Sequence, residues 1–166
     1  MNIVLTGFMA SGKSTVGKRL AEIMGYEFAD TDSLVEAKED MKISEIFEQF
    51  GERYFRDLEK TAVEEVSVKD NIVIATGGGV VLDEDNMVNL RKNGVIINLS
   101  PDEDVIKSRL LGDKTRPLAA NSDFEEILER FEKRKPFYDN CDYQIKVTLD
   151  TAVDGVCEII KDFLKR

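Results

Sequence analysis

The sequence predicts an α/β fold, a parallel sheet with helices on both faces, from three observations. Short apolar segments alternate with amphipathic ones along the whole chain. The middle apolar segments (27–29, 72–75 and 95–99) are β-branched and nearly continuous rather than alternating, as strands covered on both faces must be. The first apolar run, Ile3-Val4-Leu5, leads straight into Gly7-Phe8-Met9-Ala10-Ser11-Gly12-Lys13-Ser14-Thr15. That loop fits G-x-x-x-x-G-K-[ST] at every fixed position, the pattern that joins a strand to a helix N-terminus around a phosphate chain.

The elements follow in order. Strands are expected at 2–6, 27–29, 72–75, 95–99 and 143–147. A helix leaves the phosphate loop and runs to Met24, where Gly25 stops it. Ile43, Ile46, Phe47 and Phe50 recur at helical spacing before Gly51. A helix at 52–69 carries Phe55, Leu58, Ala62 and Val66 along one side, and further helices are expected at 102–110, 123–138 and 151–164. Asp123 with Glu126 has the spacing of a capping box. The 166 residues suit one domain, 1–166, with no repeat or linker.

Charge and composition exclude several classes. With 33 acidic and 23 basic side chains the formal charge is -10, which argues against non-specific nucleic-acid binding. Two cysteines, Cys141 and Cys157, do not make a disulfide framework and fit a reducing compartment. No signal-like segment and no membrane-length apolar run is present, so a cytoplasmic protein without membrane contact is expected. There is no histidine, which removes the commonest near-neutral base.

Within the phosphate loop, backbone N–H groups from Gly7 to Thr15, those of Ala10, Ser11 and Gly12 among them, are placed to hold a di- or triphosphate. Lys13 reaches the β- and γ-phosphates, and the Ser14 hydroxyl is offered to Mg²⁺. Asp30-Thr31-Asp32 follows the second strand, where open α/β sheets bind ligands. In an extended stretch Asp30 and Asp32 share a side and Thr31 faces elsewhere. Such a pair either helps hold hydrated Mg²⁺ and orients an acceptor hydroxyl, or simply caps a helix beginning near Ser33. Gly77-Gly78-Gly79 after the third strand permits close backbone approach to a ligand, or makes a tight turn. Arg56, Arg109, Arg116 and Arg134 suit an anionic acceptor as well as a nucleotide, or serve solubility. Residues 112–121 read either as a surface loop or as a lid bringing Arg116 to the phosphates.

The ordered set of Gly7 to Thr15, Asp30-Thr31-Asp32, Ile46-Phe47, Gly51-Glu52, Phe55-Arg56 with Glu59, Thr76 to Gly79, Arg116-Pro117-Leu118 and Arg134 with Tyr138 resembles the shikimate kinase family over essentially the whole chain. The resemblance implies a three-layer α/β/α P-loop fold of the nucleoside-monophosphate-kinase kind, with a five-stranded parallel sheet in order 2-3-1-4-5. It implies a substrate-binding subdomain at about 31–61, a mobile lid at about 110–122 and a monomer. The implied reaction moves the γ-phosphate of ATP, with Mg²⁺, to the 3-hydroxyl of shikimate in aromatic amino-acid biosynthesis.

Residue by residue, the resemblance makes Lys13 and Arg116 the groups that contact the transferred phosphate. Ser14 becomes the Mg²⁺ ligand, and Asp30 the acid of the metal's hydration shell. Asp32 becomes the residue that orients or deprotonates the acceptor hydroxyl. Arg56 and Arg134 clamp the acceptor carboxylate, Gly77, Gly78 and Gly79 line its pocket, and Arg109 packs near adenine. A gluconate kinase of similar fold would share the phosphate loop but not require the combined Asp32, Arg56, glycine and Arg134 pocket. A regulatory module without chemistry would not require intact Lys13, Ser14, Asp30 and Asp32. The segment 148–152 lacks the basic residue that some family members place over adenine, so adenine affinity or nucleotide selectivity is expected to differ.

Overall fold

Strands β1 (Asn2–Thr6), β2 (Glu27–Asp30), β3 (Ile72–Ala75), β4 (Gly94–Pro101) and β5 (Tyr143–Val147) pair in parallel, in the order β2-β3-β1-β4-β5. The structure is a computed structural model that describes residues 1–111 and 124–166. The sheet order is the one that the sequence resemblance implied.

Alternate residues of each strand feed opposite cores, because successive side chains point to opposite faces. Ile3, Leu5, Val73, Ile97, Leu99 and Ile145 pack against Val16 and Leu20 of α1 (Lys13–Met24) and against Val156 and Ile160 of α8 (Val153–Leu164). Val4, Ile74 and Ile96 pack the other way. They meet α4 (Glu52–Ser67), α5 (Glu84–Arg91), α6 (Glu103–Leu111) and α7 (Phe124–Tyr138) through Val63, Leu90, Ile106 and Phe131. Burying each such side chain contributes roughly 1.5–3 kcal/mol.

A third apolar cluster lies beyond the sheet. Val35 of α2 (Thr31–Glu39), Ile46 of α3 (Ile43–Phe50) and Phe55 and Ala62 of α4 pack together, so α2 and α3 ride on the first half of α4. This holds one wall of a cleft against the carboxyl edge of the sheet.

One α-helix, α5, and one 3₁₀ turn were not expected, whereas the helix left open near Ser33 is present as α2. Helix α2 follows β2 without a connecting loop, its first residue coming directly after Asp30. Helix α5 turns only Asn86, Met87 and Leu90 inward, too few for a periodic signal. The 3₁₀ turn Val80–Leu82 connects the glycine triplet to α5. Boundaries moved slightly: α4 ends at Ser67 and α8 starts at Val153, while β4 extends to Gly94–Pro101 by pairing on both sides. Helix α7 is described from Phe124; its expected cap, Asp123, lies outside the described residues. No described helix is long and apolar enough to cross a membrane.

Candidate active site

The phosphate loop closes between β1 and α1 at the carboxyl edge of the sheet. Gly12, at φ 87°, occupies the left-handed cap position from which α1 departs. Ala10 is also left-handed (φ 68°), and its carbonyl accepts a 2.7 Å hydrogen bond from Arg109 Nη1. The Lys13 ammonium donates to the carbonyls of Gly7 (2.6 Å) and Phe8 (3.1 Å) and to Ser11 Oγ (3.3 Å), so it lies inside the curve of the loop. A cation there, next to the N–H groups of a helix start, is suited to phosphate oxygens.

Asp30 caps α2 and also faces the phosphate-loop serine. Its Oδ1 accepts from the backbone N–H groups of Asp32 (3.0 Å) and Ser33 (3.2 Å), capping α2, while Oδ2 accepts from Ser14 Oγ at 2.6 Å. The cap changes the expected geometry, because Asp30 ends the strand while Asp32 occupies the first helical turn rather than an extended stretch. Thr31 is fully buried, and its Oγ1 accepts from Gly77 N–H at 2.9 Å, which ties the head of α2 to the glycine triplet. Ser14 and Asp30 are a hard-oxygen pair suited to Mg²⁺. Among the described residues no cluster of three or more acidic, cysteine or histidine ligands forms. One or two protein oxygens completed by nucleotide phosphates is the usual way such a site holds Mg²⁺.

Asp32 presses against the triplet so closely that a Cβ on Gly77 would collide with its carboxylate. Burial pushes its pKa up from 3.8 to about 6; the negative charges of Asp30 and Glu59 add to this and the Lys13 ammonium opposes it. Arg56, on α4, donates to Glu59 Oε1 at 2.9 Å and to Glu52 Oε1 at 3.3 Å. A Cβ on Gly79 would meet the Arg56 guanidinium head-on. Both outer glycines of the triplet therefore stand where a functional side chain needs the space of a methyl group. Gly78 instead accepts a 2.8 Å hydrogen bond on its carbonyl from Tyr138 Oη of α7, and Arg134 of the same helix lies beside it.

A cavity of about 180 Å³ results. Asp32, Arg56, Glu59 and Arg134 form its polar wall, with the backbone of Gly78 and Gly79 between them. Met9, Ile43 and Phe55 supply the apolar side. A second cavity of about 230 Å³ lies across the phosphate loop, where Arg109 and the loop residues Ala10, Ser11, Gly12 and Thr15 face Val147, Thr151 and Val153. Two pockets thus flank one phosphate loop. One sets two guanidinium groups and two carboxyl groups around a small space; the second sets Arg109 among short side chains, with Val16, Val147, Val153 and Val156 as its apolar part.

A family model described as shikimate kinase matches residues 9–165. The chain belongs to the shikimate kinase family. The shikimate kinase of Caldanaerobacter subterraneus subsp. tengcongensis is 51% identical over 165 residues, covering 99% of this chain and 96% of that one. That of Thermoanaerobacter pseudethanolicus is 47% identical, with coverage of 99% and 96%. Among solved structures, shikimate kinase from Acinetobacter baumannii in complex with shikimate superposes with a TM-score of 0.91 at 34% identity, covering 99% of this chain and 92% of that one. The Bacteroides thetaiotaomicron shikimate kinase gives a TM-score of 0.92 at 31% identity, with coverage of 100% and 99%.

Of the residues expected from sequence, Lys13, Ser14, Asp30, Asp32, Arg56, Gly77 to Gly79 and Arg134 meet around the loop and the first cavity. Arg109 lies on the nucleotide side. Arg116 and residues 112–122 of the expected lid lie outside the described residues. Sequence reasoning named Glu59 and Tyr138 only as landmarks and gave Thr31 no partner. Glu59 was findable: Phe55, Glu59, Ala62, Val63 and Val66 are the buried stripe of α4, and only Glu59 among them is charged. Its carboxyl is pushed up by burial and pulled back by the charges of Arg56 and Arg134.

Proposed function

We infer that the chain is a shikimate kinase, transferring the γ-phosphate of ATP to the 3-hydroxyl of shikimate and releasing ADP. The observation that carries this reading is the acceptor cavity: a carboxylate of raised pKa and two guanidinium groups converge on one small space beside the phosphate-loop lysine. Shikimate offers a carboxylate at one end of a compact ring and hydroxyls at the other, which suits guanidinium groups together with a carboxylate acceptor.

Arg56 and Arg134 take the acceptor carboxylate by charge-assisted hydrogen bonds. Glu59 fixes the Arg56 guanidinium so that it needs no reordering on binding. With the carboxylate held, the far side of the ring faces Asp32, which accepts a hydrogen bond from the 3-hydroxyl and aims its oxygen at the γ-phosphorus. As the new P–O bond forms and the bond to the leaving ADP oxygen breaks, the hydroxyl proton passes to Asp32. A carboxyl of pKa about 6 is roughly nine-tenths ionised at pH 7 yet more basic than an exposed aspartate, which suits a late proton transfer. Lys13 holds the transferring phosphoryl oxygens throughout. Ser14 and Asp30 would hold Mg²⁺, which would supply charge neutralisation along the phosphate chain.

Residues 31–61, which include α2, α3 and the start of α4, act as the substrate-binding subdomain. The segment 110–122 acts as the lid, bringing Arg116 to the phosphates, and Arg109 packs by the base. A monomer working in the cytoplasm completes the reading. The deciding experiment is coupled ADP release with Mg²⁺–ATP and shikimate, gluconate or no acceptor. Strong stimulation by shikimate alone is expected; turnover indifferent to shikimate would remove the acceptor assignment.

A further inference from the structure

Where β1 ends, one row across three adjacent strands sets three neutral polar side chains side by side. Thr6 of β1 pairs in register with Asn98 of β4, which pairs in register with Gln144 of β5. Thr6 and Asn98 stand two residues beyond Val4 and Ile96 and so share their face of the sheet, the one that packs on Ile127 and Phe131 of α7. Asn98 Nδ2 donates to Thr6 Oγ1 at 3.1 Å, and Gln144 Nε2 donates to Asn98 Oδ1 at 3.0 Å. The same Gln144 nitrogen reaches Asp139 Oδ1 at 3.4 Å. Thr6 is 0% and Asn98 1% exposed, a place where valine and leucine would pack without any need for partners.

What the row connects matters more than what it packs. Thr6 continues directly into Gly7, the first residue of the phosphate loop. Asp139 directly follows Tyr138, whose hydroxyl donates to Gly78, on the helix that carries Arg134. The donor loop and the acceptor clamp are thus held by two ties: Tyr138 to the glycine triplet, and the line Thr6–Asn98–Gln144–Asp139 across the sheet.

We propose that Asn98 is a positioning residue for phosphoryl transfer, setting the end of α7, and with it Arg134, at a fixed distance from the phosphate loop. The proposal rests on the reading of Arg134 as an acceptor clamp. In-line transfer is sensitive to this distance: a displacement near 1 Å far from the chemistry lowers turnover by up to about 10²-fold. Loss of the strut therefore leaves both substrates bound but misaligned, and lets water compete for the γ-phosphate.

The test compares wild type, the double variant Thr6→Val/Asn98→Leu, and Gln144→Met. The double variant removes donor and acceptor together, so the core is left without an orphaned polar atom and melts within about 4 °C of wild type. Its kcat with shikimate is expected to fall by about tenfold or more, with KM for ATP unchanged and more than one ADP released per shikimate phosphate formed. Gln144 is solvent-exposed, so Gln144→Met leaves the melting temperature unchanged while lowering kcat about threefold or more by the same uncoupling. A double variant of native stability with native kcat and one-to-one coupling would overturn the proposal. Native kcat in Gln144→Met would overturn it too, and this arm survives if the core variant fails to fold. Wild type that ignored shikimate would overturn the functional reading itself, on a readout separate from either variant.

Discussion

Asp32→Asn is expected to destroy turnover and stabilise the protein at once. Asp32 ionises near pH 6 in the folded chain and near 3.8 when unfolded, because burial and the charges of Asp30 and Glu59 disfavour its carboxylate. The folded state therefore binds the proton more tightly. Below pH 3.8 the carboxyl is protonated in both states and imposes no penalty. As pH rises through 3.8 the unfolded chain ionises first, and stability falls until the folded group ionises as well, near 6. The full penalty at neutral pH is about 3 kcal/mol, and about half of it is present at pH 5. Asparagine keeps the shape and carries no charge, so the variant regains up to about 3 kcal/mol at pH 8, or roughly 6–12 °C in melting temperature. Urea unfolding of both proteins at pH 5 and pH 8 measures it. The stability difference should roughly double between the two pH values while shikimate-dependent ADP release disappears. A difference that is absent, or equal at both pH values, would refute the account of Asp32 as a strained, partly desolvated base.

Three other outcomes follow from the same geometry. With wild type, kcat/KM for shikimate should fall about tenfold per pH unit below about pH 6, as Asp32 takes up the proton it must accept; a flat profile from pH 5 to 7 would remove it from that role. Arg56→Ala should weaken shikimate binding about 10²-fold or more, from lost charge-assisted hydrogen bonds, with ATP affinity unchanged in calorimetry. The same variant strands the 2% exposed Glu59 and should cost about 3 kcal/mol of stability. Gly79→Ala should raise KM for shikimate by at least about tenfold while leaving ATP binding intact, since the new methyl group displaces the Arg56 guanidinium; a native KM would show that the guanidinium yields without loss.

The sequence made the sheet legible because its signals are local. Ile3 to Leu5 and Ile72 to Ala75 are continuous apolar runs, Val95 to Leu99 is nearly so, and the phosphate loop fixes where the first one must end. That Asp32, Arg56 and Arg134 line one cavity was legible through an ordered motif set rather than through periodicity. What stayed hidden depends on three-dimensional closure. Helix α2 begins without a loop, so Asp30 gives the same signal for a cap as for a metal-site acid, and only the structure shows that one carboxylate both caps the helix and meets Ser14. The raised pKa of Asp32 comes first from its burial, then from Asp30 and from Glu59, 27 positions along the chain, and only the closed fold supplies these together. Asn98 in an apolar strand carried no signal until the register set it between Thr6 and Gln144.

The outer glycines of the triplet have an evolutionary consequence. Because Gly77 leaves its space to Asp32 and Gly79 leaves its space to Arg56, the glycine wall of the cavity is set by main chain rather than by a replaceable side chain. Ordinary point mutation can trim or enlarge a pocket walled by leucines; here the first added methyl group meets the Asp32 carboxylate or the Arg56 guanidinium. A lineage exploring a bulkier acceptor would have to move α4 before it could gain anything at the glycines. The cleft is thus poor ground for gradual drift in specificity, and new acceptors would be reached through Met9, Ile43 and Phe55, the lining side chains free to change one methyl group at a time.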